Sequence, residues 1–324
     1  MKFARAFAAA FAAACLFVTG AASAQTYPNR PITMLVPYPP GGATDTIARI
    51  LQDPLQKALG QTVVLENVGG AGGMIAASRS ARSDPDGYTI LIHQVALAAG
   101  MSLYKNLNFD AAKDFATIGL INTAASTLAA PASLPPNSLK ELLEWAKDRN
   151  VRIGHAGIGS YANLAGVLVA QELGLKATQV PYRGAGPALV DLLAGQVDLS
   201  SQSAIVAGPL VKSGKLKVYA IIGRKRYAGL PDLPTMGELG YKKLDIDFWH
   251  MLLAPAGTPR PIIDKLNAAL RTALADPKVQ KTFSDGGMDE FSPSEETPEA
   301  ADALLKKEIK LWGEVIRANK MAAQ

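Results

Sequence analysis

Residues 32–45 read ITMLVPYPPGGATD, and this stretch decides the fold class of the chain. The mostly apolar residues 32–38 predict a buried strand, which the Pro-Pro-Gly-Gly sequence at residues 39–42 ends. Residues 44–59 then carry apolar side chains at helical spacing, and Gly60 is typical of a helix end. A buried strand, a tight loop and a helix in this order predict the start of an α/β domain.

The same pattern continues along the chain. Residues 62–66 predict a second strand, GGAGG at residues 69–73 leads into a helix of small residues, and residues 89–93 predict a third strand. Strands that alternate with helices in this way form a parallel sheet covered by helices. We therefore expect one α/β lobe from this part of the chain.

A second unit of the same kind follows. Residues 152–156 predict a strand, residues 160–173 a helix after a Gly-Ile-Gly break, and residues 178–182 a further strand before Gly-Ala-Gly. The C-terminal helices are expected to return to the first unit. The sequence thus predicts an α/β fold of two lobes, each a mainly parallel sheet flanked by helices, with a ligand cleft between the lobes. Lobe 1 is assigned residues 25–125 and 251–324, and lobe 2 residues 126–250.

Residues 1–24 have the parts of a secretory signal peptide. Lys2 and Arg5 precede an apolar run over residues 6–18, and Ala22-Ser23-Ala24 is a cleavage signal. The run is shorter than the ~20 residues of a membrane-spanning helix. We expect export to a bacterial periplasm and cleavage near Ala24/Gln25. A lipid anchor on Cys15 is the competing interpretation, which Ala12 disfavours because a lipobox calls for leucine or a similar residue there.

Composition excludes several classes of protein. Cys15 is the one cysteine among 324 residues, so neither a disulfide scaffold nor a cysteine-built metal site is expected. The formal net charge of +5 includes Lys2 and Arg5, which leaves +3 after cleavage, and the basic residues form no run that suggests nucleic-acid binding. A zinc site is not supported by the spacing of the three histidines, which are His93, His155 and His250. We expect neither a metal nor a cofactor.

The glycine-rich loops after the predicted strands are the candidate site. The first N–H groups of a helix lack partners within it, and the helix dipole adds about half a positive charge there. The loops at residues 38–45 and 157–162 both lead into helices, so each lobe offers a binding site for an anion. Asp45 is interpreted either as an ordinary helix-start acid or as a group that orders water or accepts a ligand proton. Arg183 is either a ligand cation or an exposed loop residue.

Residues 157–162, GIGSYA, also match the dinucleotide fingerprint G-x-G-x-x-G/A. The acid that should end the following strand is absent, since residues 179–182 are Gln-Val-Pro-Tyr. We therefore interpret the loop as an anion-binding site in which the Ser160 hydroxyl and nearby N–H groups donate hydrogen bonds to the anion. The alternative is a helix start that Ser160 simply caps.

Several motifs together resemble one family. They run in order through essentially the whole mature chain: YPNRPITMLVPYPPGGATD (27–45), ENVGGAGG (66–73), GIGSYANLAG (157–166), VPYRGAGPALVDLLAGQVD (180–198), LPDLPTMGELG (230–240) and LLAPAGTP (252–259). This combination resembles the substrate-binding components of tripartite tricarboxylate transporters, often called Bug proteins. The resemblance implies a two-lobed periplasmic binding protein of the Venus-flytrap kind, type II-like, without catalytic activity.

The resemblance also implies a function and partners. Such a protein captures a small organic carboxylate, whether a di- or tricarboxylate or an aromatic acid, and delivers it to the membrane subunits of a transporter. A ligand-sensing partner of a membrane sensor kinase is the first alternative, and an exported α/β enzyme is a less favoured one. The resemblance does not choose among the carboxylates.

The family's ligand contacts point to specific positions of this sequence. The expected ligand-binding residues are Tyr38, Pro40, Gly42, Ala43, Thr44, Asp45, Gly159, Ser160, Asn163, Arg183, Gly184, Ser201 and Gln202. Two of them depart from the usual pattern. Asn163 stands where histidine is common, and Arg183 replaces a more usual lysine, which permits a bidentate contact with a carboxylate.

Overall fold

The computed structural model of the chain describes residues 27–246, 248–319 and 321. The predicted signal peptide, its cleavage site and Cys15 lie outside these residues. The strands of the described part are β1 (Ile32–Val36), β2 (Val63–Asn67), β3 (Thr89–Gln94), β4 (Phe115–Ala124), β5 (Ser126–Pro131), β6 (Val151–His155), β7 (Ala177–Pro181), β8 (Leu199–Ser203), β9 (Leu216–Ile222), β10 (Phe248–Pro255) and β11 (Met288–Asp289).

The α-helices of the same residues alternate with these strands. They are α1 (Ala43–Leu59), α2 (Met74–Ala81), α3 (Ala96–Leu103), α4 (Leu139–Ala146), α5 (Tyr161–Glu172), α6 (Ala185–Leu193), α7 (Ala204–Lys212), α8 (Arg260–Leu274), α9 (Pro277–Asp285) and α10 (Pro298–Ala318). Short 3-10 turns are formed by Ala71–Gly73 and Lys242–Leu244.

The strands form two sheets, and each sheet is the centre of one lobe. The first sheet has the order β11-β4-β10-β3-β1-β2, and the second has the order β7-β6-β8-β5-β9. β1 runs parallel to β2 and β3, and β6 runs parallel to β7 and β8. These parallel parts are the two β-α-β units that the sequence predicts, so the two-lobed α/β fold is confirmed.

Both sheets are mixed, although most strands of each sheet run in one direction. β10 runs antiparallel to β3 and β4, β11 runs antiparallel to β4, and β5 runs antiparallel to β8 and β9. The reason lies in the connections between the lobes. β4 leads through Ala125 into β5 of the other sheet, and β10 is the return strand. The first strand after each crossing, β5 or β10, runs against the direction of the β-α-β unit in its sheet.

The return crossing precedes Phe248. β10 pairs within the first sheet from Phe248 to Pro255, so the lobe boundary expected at residues 250/251 falls inside this strand. The following helices pack on the first lobe. Glu308 of α10 is buried and accepts hydrogen bonds from the indole N–H groups of Trp249 at 3.1 Å and Trp312 at 3.0 Å. These bonds fix α10 against β10.

The helix that follows β1 shows why the elements begin and end where they do. Gly42 precedes α1 in an extended conformation, and Gly60 ends it in the left-handed region with φ of 67°. Ile47, Leu51 and Leu55 lie on one face and are buried in the first lobe. The start of α1 is thereby held at the carboxyl end of β1, which faces the second lobe.

Candidate ligand-binding site

A cavity lies between the lobes, where several strands end and helices begin. The space between its lining atoms is about 490 Å³, including the part open to solvent. We call it the cleft cavity. It is lined from the first lobe by Tyr38, Gly42, Ala43, Thr44, Gln94 and Phe248, and from the second lobe by Ser126, Ala156, Ser160, Tyr161, Ala162, Ala185, Ser201, Gln202, Ser203 and Val206.

Four helices begin at the wall of the cleft cavity, namely α1, α5, α6 and α7. Ser160 caps α5 by accepting a hydrogen bond from the Asn163 N–H. Within the described part of the chain, Gly42, Gly184 and Ser203 make no side-chain cap for the other three. The first N–H groups of α1 and α6 are therefore left for other acceptors. At the start of α7 the Ala204 N–H donates to the Ala125 carbonyl at 2.9 Å, so the N–H groups of the next residues are the ones left there.

The groups that can attract an anion to the cleft cavity belong to the backbone. None of the described residues that line it carries a formal charge. Each helix start contributes roughly half a positive charge, and the helices come from both lobes. The arrangement can bind carboxylate or phosphate oxygens without a lysine or an arginine.

Asp45 holds the first-lobe loop in place. Its carboxylate accepts hydrogen bonds from the Gly41 N–H at 3.1 Å, from Asn67 Nδ2 at 2.9 Å, and from the Arg49 guanidinium at 3.0 and 3.1 Å. Burial raises the pKa of Asp45, but these hydrogen bonds outweigh burial and leave the pKa below its usual value. The carboxylate oxygens of Asp45 are thus used by hydrogen bonds within the loop region, and these bonds hold the loop against α1.

Tyr38 and Gln94 form a hydrogen-bonded pair in the first-lobe wall. Gln94 Nε2 donates to Tyr38 Oη at 2.6 Å, and Tyr38 Oη donates to the Gly72 carbonyl at 2.9 Å. Gln94 Oε1 accepts the Ala96 N–H at 2.8 Å. Burial raises the pKa of Tyr38 above its usual value, so its hydroxyl stays protonated. The pair fixes the ends of β1 and β3 relative to each other.

The Gly-Ser loop of the second lobe uses its own polar groups internally. Gly159 has φ of +80° and donates its N–H to Asn163 Oδ1 at 3.0 Å. Ser160 Oγ donates to the Gly157 carbonyl at 2.6 Å and accepts the Asn163 N–H at 3.3 Å. The Ser160 hydroxyl proton is therefore used within the loop, in agreement with the capping interpretation.

The far wall is made of hydroxyl groups at the ends of β5 and β8. Ser126 Oγ and Ser201 Oγ lie 2.8 Å apart, and Gln202 Nε2 donates to Ser200 Oγ at 2.9 Å. Ser203 Oγ is buried and has no hydrogen-bond partner among the described residues. A buried polar group without a partner is costly, so this hydroxyl is a candidate ligand contact.

An aromatic pair forms the apolar part of the wall. The rings of Phe248 and Tyr161 stack with centroids 4.3 Å apart and 19° between their planes. Phe248 also packs against the ring of His250, with centroids 4.6 Å apart. Because Phe248 begins β10 and Tyr161 begins α5, this stack joins the two lobes beside the cavity.

The two lobes touch along the mouth of the cleft, so the structure is a closed form. Tyr104 Oη of the first lobe donates to the Ile158 carbonyl of the second at 2.5 Å. A Cβ atom on Gly184 would lie 2.6 Å from Pro39 Cδ, and one on Gly72 would lie 2.3 Å from the Ile158 carbonyl oxygen. Glycine at these positions lets the backbones of the two lobes meet.

Seven of the thirteen residues expected from the sequence line the cleft cavity, namely Tyr38, Gly42, Ala43, Thr44, Ser160, Ser201 and Gln202. Asp45, Gly159 and Asn163 lie behind the wall and hold the loops. Pro40 and Arg183 are exposed at the mouth, and Gly184 is buried against Pro39. Arg183 therefore brings no charge into the cavity of this closed form.

Sequence reasoning missed several residues of the cavity. Gln94, Ser126 and Ser203 line it, and each stands at an end of a strand that meets the cleft. Gln94 directly follows the predicted strand 89–93, so its position could have drawn attention to it. Phe248, the first residue of β10, also lines the cavity and is absent from the expected ligand-binding residues.

The described residues contain no group of three His, Cys, Asp or Glu side chains placed to hold a metal ion. The three histidines are all buried, and burial lowers the pKa of His93 and of His155 to about 4 and that of His250 to about 3. They are neutral at physiological pH. No described helix combines the length and the apolar character that crossing a membrane requires.

Comparison with known proteins connects this geometry with a family. Residues 47–321 match the tripartite tricarboxylate transporter family receptor, TctC. The periplasmic binding protein BugD is 40% identical, with a TM-score of 0.89 over 92% of this chain and 100% of that chain.

Two further similar structures were solved with a small-molecule ligand. MatC from Rhodopseudomonas palustris, with bound malate, is 35% identical, with a TM-score of 0.85 over 90% of this chain and 100% of that one. Rpa4515 of R. palustris, with adipate, is 30% identical, with a TM-score of 0.86 over 91% of this chain and 99% of that one. With the match over residues 47–321, these similarities show that the chain belongs to the tripartite tricarboxylate transporter receptor family, the Bug/TctC solute-binding proteins.

Proposed function

We propose that this chain is a periplasmic receptor that binds a small dicarboxylate between its lobes and delivers it to the membrane subunits of a tripartite transporter. The observation that carries the proposal is the set of three helix starts without side-chain caps, which meet at one cavity lined by uncharged residues. A carboxylate is the simplest ligand that satisfies such N–H groups.

The three helix starts belong to both lobes and are not all adjacent, which favours a ligand with two anionic ends. α1 and α6 approach closely, since a Cβ atom on Gly42 would lie 3.1 Å from the Ala185 Cβ. α7 begins at Ser203, beside the hydroxyl groups of the far wall. We assign one carboxylate to the starts of α1 and α6, and the other to the start of α7. Malate and adipate, the ligands of the two related structures, are both dicarboxylates.

The energies are sufficient for useful affinity. A hydrogen bond to a charged group contributes about 1.5–3 kcal/mol. Association costs at least ~4 kcal/mol in lost freedom. About five such bonds of roughly 2.4 kcal/mol each give about 12 kcal/mol, which after an association cost of ~4 kcal/mol leaves the ~8 kcal/mol of a micromolar Kd. Two carboxylates have enough oxygen lone pairs to accept that many bonds.

The receptor role implies export and binding without turnover. We propose cleavage between Ala24 and Gln25, for which the intact mass of the exported protein is the test. A mass that begins at Gln25 supports it, and a lipid adduct on Cys15 contradicts it. The bound dicarboxylate should be recovered chemically unchanged after incubation with the protein, whereas a converted ligand would point to an exported enzyme.

A ligand screen tests the proposal. Thermal unfolding of the mature protein, freed of ligand by unfolding and refolding, should be measured with a series of dicarboxylates that includes malate and adipate. At least one should raise the Tm in a concentration-dependent way, since a ligand that binds only the folded state stabilises it. No shift with any carboxylate at millimolar concentration would overturn the proposed ligand class. Uptake of the best ligand by cells with and without the gene then tests delivery.

A further inference from the structure

A buried hydrogen bond lies directly behind the wall of the cleft cavity. Thr44, in the first turn of α1, lines the cavity, and its Oγ1 lies 3.2 Å from Nε2 of His250. Thr44 is 3% exposed and His250 is fully buried. The pair therefore connects the ligand site with β10.

The ring of His250 is held in one place. β10 lies between β3 and β4, and His250 is opposite Gln94 on one side and Asn122 on the other. The ring packs on Phe248, which itself stacks on Tyr161. A side chain on a central strand with aromatic neighbours has little freedom to turn, so Nε2 remains directed at Thr44.

The positions of the hydrogen atoms follow from what each nitrogen can reach. A neutral histidine carries one proton, on Nδ1 or on Nε2. Nδ1 of His250 is buried and has no hydrogen-bond partner within the described part of the chain. A proton on Nδ1 would be a buried donor without an acceptor, which native structures avoid more strictly than an acceptor without a donor. The proton is therefore expected on Nε2, where Thr44 Oγ1 accepts it.

The neighbouring histidine provides an internal comparison. Nδ1 of His93 lies 2.9 Å from the Gln94 N–H, a donor, and 3.2 Å from the Gln94 carbonyl oxygen, an acceptor, so its shorter contact is one in which it accepts. Nε2 of His93 lies 3.4 Å from the Gly73 carbonyl, an acceptor. The shorter contact at Nδ1 and the acceptor near Nε2 favour the Nε2–H form of His93, and the spectrum of His250 is expected to resemble that of His93.

We infer that His250 donates its Nε2 proton to Thr44 Oγ1 and that the Thr44 hydroxyl proton is thereby turned into the cleft cavity as a donor to the ligand. His250 is a positioning residue, since it acts through Thr44. Together with the N–H groups at the start of α1, the hydroxyl forms a binding subsite in which every polar group is a hydrogen-bond donor. Such a subsite accepts a carboxylate oxygen and rejects the N–H group of an amide at the same position.

This inference rests on the proposed function for its ligand, but its first test needs no ligand. Long-range 1H–15N correlation spectra of the 15N-labelled protein show which nitrogen of each histidine is protonated, and the His250→Gln spectrum identifies the His250 signals. The expected result is protonated Nε2 and unprotonated Nδ1, as for His93. A protonated Nδ1 would overturn the inference, even if a dicarboxylate binds.

The second test measures Kd for malate and for adipate by calorimetry. Thr44→Val should weaken binding of the ligand that fits by about tenfold or more, and Thr44→Ser should retain it. His250→Leu should weaken binding similarly, and His250→Gln, which can again donate to Thr44, should restore most of the affinity. The double variant Thr44→Val/His250→Leu should be no weaker than either single variant.

A matched control separates this effect from a general loss of a threonine hydroxyl. Thr272 lies on the exposed side of α8, where its hydroxyl donates to the Ala268 carbonyl. Thr272→Val should leave Kd unchanged. Equal affinity of Thr44→Val and the unaltered protein, or additive losses in the double variant, would refute the role of the pair. If the unaltered protein binds no carboxylate, the proposed function fails while the spectra still decide the proton positions.

Discussion

The hydroxyl of Tyr104 donates a hydrogen bond to the carbonyl oxygen of Ile158 across the cleft, with 2.5 Å between the two oxygens. Tyr104 belongs to the first lobe and Ile158 to the Gly-Ser loop of the second. Burial raises the pKa of Tyr104 to about 12, so the hydroxyl remains a donor through the physiological pH range. This bond exists only when the lobes are closed, and it can therefore stabilise the ligand-bound state selectively.

Tyr104→Phe should weaken ligand binding by about fivefold, since a neutral hydrogen bond contributes roughly 1 kcal/mol. The change should be an increase in the dissociation rate, because opening becomes easier. Stopped-flow measurements of the intrinsic fluorescence give that rate. Tyr219→Phe is the matched control, as Tyr219 also donates to a backbone carbonyl, that of Pro136 at 3.0 Å, but away from the cleft. Equal effects of the two substitutions would contradict the role of Tyr104.

Gly184→Ala should prevent full closure, because the added Cβ would lie 2.6 Å from Pro39 Cδ of the other lobe. The open form has no such conflict, so the Tm of the ligand-free protein should change little while affinity falls by tenfold or more. Small-angle scattering with saturating ligand should report a larger radius of gyration than for the unaltered protein. Adding Pro39→Ala, which removes the conflicting atoms, should restore part of the affinity. Unchanged affinity of Gly184→Ala would show that closure does not need this contact.

Asp45→Asn should lower the free energy of unfolding at pH 7 by about 1–3 kcal/mol, since charge-assisted hydrogen bonds to Arg49 and Asn67 are weakened. The folded pKa of Asp45 lies below its ordinary value of 3.8. Its stabilising contribution is therefore present above that value and is lost as the pH falls through the folded pKa. Urea unfolding of both proteins from pH 7 to pH 3 should show the difference begin to shrink below about pH 4 and become smaller toward pH 3. A difference that persists undiminished at pH 3 would contradict the assignment.

Ser203→Ala should leave the ligand-free protein as stable as before, because the hydroxyl has no hydrogen-bond partner among the described residues. The same change should weaken dicarboxylate binding by about tenfold or more if the second carboxylate lies at the start of α7. Ser126→Ala is the contrasting variant, since Ser126 bonds to Ser201 and to the Gln202 carbonyl and should lose stability. Thermal unfolding and calorimetry on both variants decide the matter. If Ser203→Ala binds the dicarboxylate with unaltered affinity, the second carboxylate does not lie at the start of α7.

The fold could be predicted where it depends on local pattern. β1 and α1 agree with the predicted segments to within two residues, because the Pro-Pro-Gly-Gly loop separates two unmistakable patterns. The direction of β5 and β10 could not be predicted. Antiparallel pairing of a return strand depends on which lobe the chain has just left, and that information is not contained in the strand itself.

The site was predictable only in part, for a related reason. The loop residues Gly42, Ala43 and Thr44 precede a recognisable helix, so the helix-start argument finds them. Ser126 and Phe248 reach the cavity because two crossing segments pass beside it, which is a property of the tertiary arrangement. Asp45 and Asn163 have the polarity expected of ligand contacts, but their hydrogen bonds fix the loops instead.

The central claim is that backbone N–H groups at helix starts, in a cavity without charged side chains, bind the two carboxylates of the ligand. The most direct test is calorimetric titration of the ligand-free mature protein with a dicarboxylate that stabilises it and with the diamide of the same acid. The diamide keeps the shape of the diacid but directs N–H groups at a binding site whose polar groups are also hydrogen-bond donors. We predict a micromolar or lower Kd for the diacid and at least a hundredfold weaker binding of the diamide. Equal affinity for the two, or no heat with any diacid, would contradict the account.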